Sequence, residues 1–158
     1  MKANPRNETE FVNELRTWFI YDNAGQAYFR RIVSASGDPD LVFGRRVNGK
    51  NVQFYAEAKY VDNVPTSLFR VWDLLRNNQK SVCMKMAAAG FRVYLIVCIK
   101  GIEAWWYRFD PDMCLKSISG KVASYKVIYL EHISIRERSG KWKLVKPEEM
   151  EIPAWAKN

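Results

Sequence analysis

A chain of 158 residues, 48% apolar and 14% aromatic, can bury one real core and is short for two, and its composition sets it apart from disordered chains. Lys and Arg number 25 against 17 Asp and Glu, a formal net charge of +8. That is the footprint of a protein that meets polyanions, nucleic acid foremost, although a basic surface serving only solubility has the same composition. No apolar run reaches the roughly 18 residues of a membrane span, and MKANPRNETE lacks the apolar stretch of a secretory signal. A cytoplasmic protein without a membrane partner is expected, in the host cytoplasm if the source is a virus.

In chain order, NETEFVNELRTWFI (7–20) places Phe11, Val12, Leu15, Trp18 and Phe19 at helical spacing with Asn7 as a candidate N-cap. On that helix Glu8 falls within the apolar sector, Glu10 points nearly opposite and Glu14 lies at the margin. AYFRRIV (27–33), DLVFG (40–44) and NVQFYAEAK (51–59) are rich in β-branched and aromatic residues, the last two joined through an Asn48-Gly49 turn signal. A three-stranded meander is predicted. The segment 66–90 is helical in pattern, with a break at Asn77-Asn78 and Gly90 as its stop. FRVYLIVCI (91–99) has the continuous apolar run of a strand covered on both faces. IEAWWYRF (102–109), YKVIYLEHISI (125–135) and a hairpin over 136–145 add antiparallel strands. Helices on a central mixed sheet make this an α/β sandwich, read as one domain with a core over about 7–109 and a C-terminal β extension over about 110–158.

Cys83, Cys98 and Cys114 show neither disulfide nor zinc spacing and read as buried thiols, and His132, the single histidine, reads as a surface or sheet-edge residue. A metal site would therefore rest on carboxylates, which favours Mg2+ or Mn2+. Alternation on NVQFYAEAKY sends Val52, Phe54, Ala56 and Ala58 to one face and Gln53, Tyr55, Glu57 and Lys59 to the other. Asp40, at the start of the adjoining strand, reaches Glu57 if the register permits. Two clustered carboxylates are what a divalent cation needs. An exposed Glu57–Lys59 ion pair with Asp40 merely opening a strand is the plainer reading.

Pro39-Asp40 in SGDPDL, followed after a strand and turn by Glu57-Ala58-Lys59 in YAEAK, resembles the PD-(D/E)xK nuclease superfamily, whose fold is a restriction-endonuclease-like sandwich. Within it, FYAEAK followed by NNQKSVCMKMAAAGFRVYLIV looks like the archaeal and RecU-like Holliday-junction resolvases and the VRR-NUC nucleases, over about residues 7 to 109. The resemblance implies that Asp40 and Glu57 hold Mg2+ (or Mn2+), with the Ala58 carbonyl and Glu8 as further ligands. The ion activates a water and neutralises the scissile phosphate. Lys59 would position the nucleophile or stabilise developing charge. Gln79 and Glu8 match a helix Gln and an early-helix Glu that recur in those families. Asp38 is the alternative to Asp40, and Glu10 to Glu8; a helix N-terminal acid and a helix-cap amide are the structural readings of Glu8 and Gln79. Pro111-Asp112 has no ExK after it and reads as a turn. Arg45, Arg46 and Lys50 in the hairpin turn, Lys80 on the following helix, and the C-terminal Arg136, Arg138, Lys141, Lys143 and Lys146 are candidate phosphate contacts or a solvated face. Trp105-Trp106-Tyr107 stacks on bases, fills the core or makes a dimer contact. The expected activity is cleavage of DNA by a homodimer, on branched DNA such as a Holliday junction. A general, end- or single-strand-directed nuclease and a non-catalytic nucleic-acid-binding module are the alternatives.

Overall fold

In a computed structural model, residues 3–22, 26–32, 37–47, 49–112 and 128–156 are described. Helix α1 (Glu8–Asp22) is followed by β1 (Ala27–Arg31), β2 (Leu41–Val47) and β3 (Lys50–Val61), then α2 (Leu68–Trp72), α3 (Asn77–Ala88), β4 (Val93–Ile99), β5 (Glu103–Phe109), β6 (Ile128–Arg136) and β7 (Trp142–Val145). The strands form one seven-stranded sheet in sequence order. Only β3 and β4 run parallel, and the helices α2 and α3 make the crossover between them, as a parallel pair requires. The mixed α/β sandwich read from the sequence is the observed fold, and the C-terminal strands extend the same sheet.

The two faces of the sheet are filled from opposite sides. Phe11, Val12, Leu15 and Phe19 of α1 pack on Phe43, Phe54, Ala56, Ala58, Ile96 and Trp106. Leu68, Val71 and Trp72 of α2 and Cys83 and Ala87 of α3 pack on Leu95, Val97, Trp105, Tyr107 and Phe109. Every residue of β4 is buried, which explains its unbroken apolar run. Trp105, Trp106 and Tyr107 are all buried; they are core, and none is available to stack on bases. Cys83 and Cys98 are buried thiols; Cys114 lies outside the described residues.

Local chemistry fixes the element ends. Asn7 Oδ1 accepts the Glu10 N–H at 2.9 Å, so Asn7 is the N-cap of α1. The predicted helix over 66–90 is two helices, and its break falls at residues 73–76 rather than at Asn77-Asn78. Ser67 Oγ caps α2 through the Arg70 N–H at 3.3 Å, tight i→i+3 bonds end it at Leu74 and Leu75, and Asn77 opens α3. Gly90 (φ +97) then stops α3, with its N–H on Ala87 O and the Phe91 N–H on Met86 O. That is a Schellman arrangement, which needs the left-handed residue. Gly49 (φ +76) sits in the β2–β3 turn, as foreseen; Asn48 is outside the described residues.

The segment before α1 is stapled down. Tyr60 donates its hydroxyl to Pro5 O at 3.1 Å. Arg136 donates to Ala3 O at 2.9 Å and to Asn4 Oδ1, and pairs with Glu14 Oε2 at 3.5 Å. Arg136 is thus engaged internally, by the segment ahead of α1 and by Glu14.

Candidate metal and phosphate site

The two-residue turn that pairs Val47 with Lys50 sets the β2–β3 register, which runs to Leu41–Ala56. One step further along the same diagonal brings Asp40 opposite Glu57. Glu57 is fully buried on the face that α2 and α3 cover, beside Leu95 of β4. The Asp40 carboxyl stands within hydrogen-bonding reach of it. Asp38 is exposed and does not share this position. The loop is held by Gly37, whose φ of +88 and close approach to Asn78 O leave no room for a Cβ, which would stand 2.7 Å from that oxygen. Buried Pro39 fixes the next turn of chain.

Gln79 ties the site to α3. Its amide nitrogen donates to Glu57 Oε2 at 3.2 Å, and its carbonyl accepts from Lys59 Nζ at 3.3 Å and from the Arg76 N–H at 2.9 Å. The helix-cap reading of this residue is observed, and the same side chain also links Glu57 to Lys59. Lys59, half-buried, carries its charge into the same cluster.

The other Glu57 oxygen is the unsatisfied group of the cluster. Glu57 Oε1 is buried and meets no N–H or O–H donor among the described residues. An unpartnered carboxylate oxygen costs about 1–3 kcal/mol or more unless something binds it. Burial first, then contact with Asp40, push the Glu57 pKa up to about 9, with Lys59 opposing. Two carboxyls in contact share a proton when no cation is present. Two converging carboxylate groups, one with a free buried oxygen, are a hard donor set that fits Mg2+ or Mn2+. The β2 ladder ends at Ala56, so β2 has no pairing residue beside Glu57 and Ala58, the backbone expected to add a ligand.

Glu8 stands at the first turn of α1, half-exposed, paired with Arg31 at 3.5 Å. Burial raises its pKa, Lys59 and Arg31 lower it, and Asp40 raises it, which places it in the electrostatic neighbourhood of the cluster. Among the described residues, no three of His, Cys, Asp and Glu stand close enough to hold an ion. Glu8, expected as a further ligand, pairs with Arg31 and does not form such a group with Asp40 and Glu57 among the described residues. Glu10 pairs outward with Arg6 at 3.0 Å.

The basic residues are distributed less simply than the sequence suggested. Arg46 shares the face of Glu57, because it pairs with Asn51, whereas Arg45 pairs with Val52 and faces the α1 side. At about 3.4 Å per residue, Arg45 and Arg46 lie about 17 and 20 Å along β2 from Asp40, and exposed Lys50 lies about 24 Å along β3 from Glu57. Lys80 is engaged with Asp73 at 2.8 Å and sits over the Trp72 ring at 5.5 Å. Arg31 beside Glu8 was not singled out from sequence; a basic residue ending the strand before the PD loop was the available signal.

No family model and no curated protein matches the chain. Among solved structures it is similar to Hjc, a Holliday junction resolvase from the archaeal hyperthermophile Archaeoglobus fulgidus, with TM-score 0.43 and 18% identity over 89% of this chain and 88% of that chain.

Proposed function

We propose that the chain is a divalent-metal-dependent endonuclease that hydrolyses phosphodiester bonds of DNA, acts on branched DNA such as a four-way junction, and works as a homodimer. The observation that carries the catalytic part is the buried Oε1 of Glu57, which meets no donor among the described residues, on a carboxyl close enough to Asp40 to be pushed up in pKa by it. A structural ion pair would bring a cation to that oxygen, but Lys59 is turned to Gln79 Oε1 instead.

Asp40 and Glu57 would hold the ion. When bound, Mg2+ or Mn2+ supplies a lowered water pKa and neutralisation of phosphate charge. Gln79 orients Glu57 through Oε2, leaving Oε1 to the ion, and at the same time holds the Lys59 ammonium beside the carboxylates. From there Lys59 stabilises the negative charge that grows on the phosphate or steers the attacking water. Buried Leu95 and Val97, the β4 neighbours of Glu57 and Lys59, keep bulk water from their inner side.

The junction preference and the dimer rest on the sequence resemblance and on the need for two matched cuts in a symmetric substrate. The test is a panel of four-way, flap, single-stranded and linear DNA, with Mg2+ or with chelator. The expected result is Mg2+-dependent cutting that is fastest on the four-way junction at a salt concentration that suppresses non-specific binding. Equal cutting of linear duplex would remove the junction preference. Binding without cutting in either metal would make the chain a nucleic-acid-binding module.

A further inference from the structure

The helices cover only part of the face on which Glu57 lies. α2 and α3 pack over β4 and β5, and beside them no described helix packs on the same face of β1–β3. Register places Tyr28 and Arg30 of β1, Val42, Gly44 and Arg46 of β2, and Asn51, Gln53 and Tyr55 of β3 on it. Tyr28 is 55% exposed and Phe91, edge-on to Tyr55 at 5.6 Å, is 49% exposed. Arg30, Arg46, Asn51 and Gln53 are exposed. Residues 26–32 and 41–56 include no Asp or Glu, so the first acids met along this floor are Asp40 and Glu57 themselves.

We infer that this open floor is a track for an unpaired nucleic-acid strand, such as one freed at the branch point of a junction, which crosses β1–β3 from the hairpin turn and delivers its phosphodiester to Asp40 and Glu57. The inference deepens the nuclease reading and rests on it for the delivery step. A floor with exposed aromatic rings and cations but no acids suits unstacked bases and their phosphates, since every base has a face to stack and every phosphate a charge to meet. A closed duplex hides the base faces and would leave Tyr28, Tyr55 and Phe91 without a role. A second copy of the chain is a poorer occupant, because a two-fold contact would set this acid-free floor against itself, with Arg30 and Arg46 facing cations of the same sign. Gly44 keeps the middle of the track flat. A Cβ there meets nothing nearer than Gln53 Cγ at 3.8 Å, so a side chain can be added without strain.

The test is fluorescence anisotropy on the full chain in chelator, with a labelled 20-nucleotide oligothymidylate and a 20-base-pair duplex at matched salt. The single strand is expected to bind at least tenfold more tightly than the duplex. Gly44→Glu, Arg46→Ala and Tyr55→Ala should each weaken single-strand binding by about tenfold, with a smaller effect on duplex. Should Gly44→Glu lower the melting temperature, Gln53→Glu at an exposed position repeats the test. Equal affinity for duplex, indifference to these substitutions, or conversion of a wild-type dimer to a monomer by Gly44→Glu would overturn the track. Loss of strand binding in the variants of a protein that never cuts DNA would retain the track and sink the nuclease reading. Cutting that survives them unchanged would do the reverse.

Discussion

Glu57 is costly to the metal-free protein. Its folded-state pKa is raised, so between its unfolded value near 4.5 and its folded value of about 9 the native state holds a proton that the unfolded chain has released. Stability from this group is therefore fully present below about pH 4.5 and falls as pH rises towards 9. Glu57→Gln should remove that slope and, in chelator at pH 8, raise stability by on the order of 1–3 kcal/mol, read as a higher melting temperature. Adding Mn2+ should reverse the ranking, raising the wild type and leaving the variant unmoved. A wild type indifferent to Mn2+ would show that Oε1 holds no ion. Lys59 is predicted to separate binding from chemistry. Lys59→Ala should cut the cleavage rate by at least about a hundredfold, of the order seen when one charge-stabilising group is lost. DNA affinity, which sums many phosphate contacts, should change less than about threefold. Collapse of binding with a normal rate in the residual complex would make Lys59 a plain anchor.

At the scale of elements, the site is a junction of three pieces: the 37–40 loop, the end of β3 and the start of α3. Gly37→Ala should place a methyl against Asn78 O in a backbone conformation that alanine resists. A loss on the order of 2 kcal/mol is expected. Cleavage should fall further than stability, because Asp40 moves with the loop. A melting curve beside a single-turnover rate checks both, and a stable, fully active variant would show that the loop does not set Asp40. Much of this junction was legible. The period-two pattern of NVQFYAEAK gave Glu57 and Lys59 one face, and a two-residue turn at Gly49 set the register that carries Asp40 to Glu57. Asn7 could be read as the cap of α1 because an amide side chain before an apolar stripe has few better uses. The helix break was misplaced by a few residues because α2 ends on tight turns that leave Leu75 buried, which apolar spacing alone does not reveal. Gln79 could not be assigned to one role from sequence, since a single amide serves the cap, the carboxylate and the ammonium at once. Arg45 and Arg46 looked like one cluster, yet neighbours on a strand face opposite ways, and only one shares the site's face.

On the scale of the whole molecule, the C-terminal strands extend the sheet and brace the first helix. β6 and β7 continue the core, with Trp142 edge-on to Phe11 at 5.7 Å and its indole N–H on Glu14 at 3.2 Å, and Arg136 secures the segment ahead of α1. Arg136→Ala should therefore lower the melting temperature while leaving the salt dependence of DNA binding unaltered; a reduced salt slope would return it to the phosphate contacts. Half-site matching further predicts a dimer by sedimentation at micromolar concentration, and a monomer that cuts junctions symmetrically would contradict it. The central claim is that Asp40 and Glu57 together form a metal-dependent cleavage centre. The most direct measurement is single-turnover cleavage of a labelled four-way junction by wild type, Asp40→Asn and Glu57→Gln, each folded by circular dichroism, with Mg2+, Mn2+ or chelator. The account predicts cutting by the wild type with either metal, none in chelator, and a loss of at least about a thousandfold in both variants while junction binding persists. Cutting in chelator, or an Asp40→Asn protein that cuts at the wild-type rate, would contradict it.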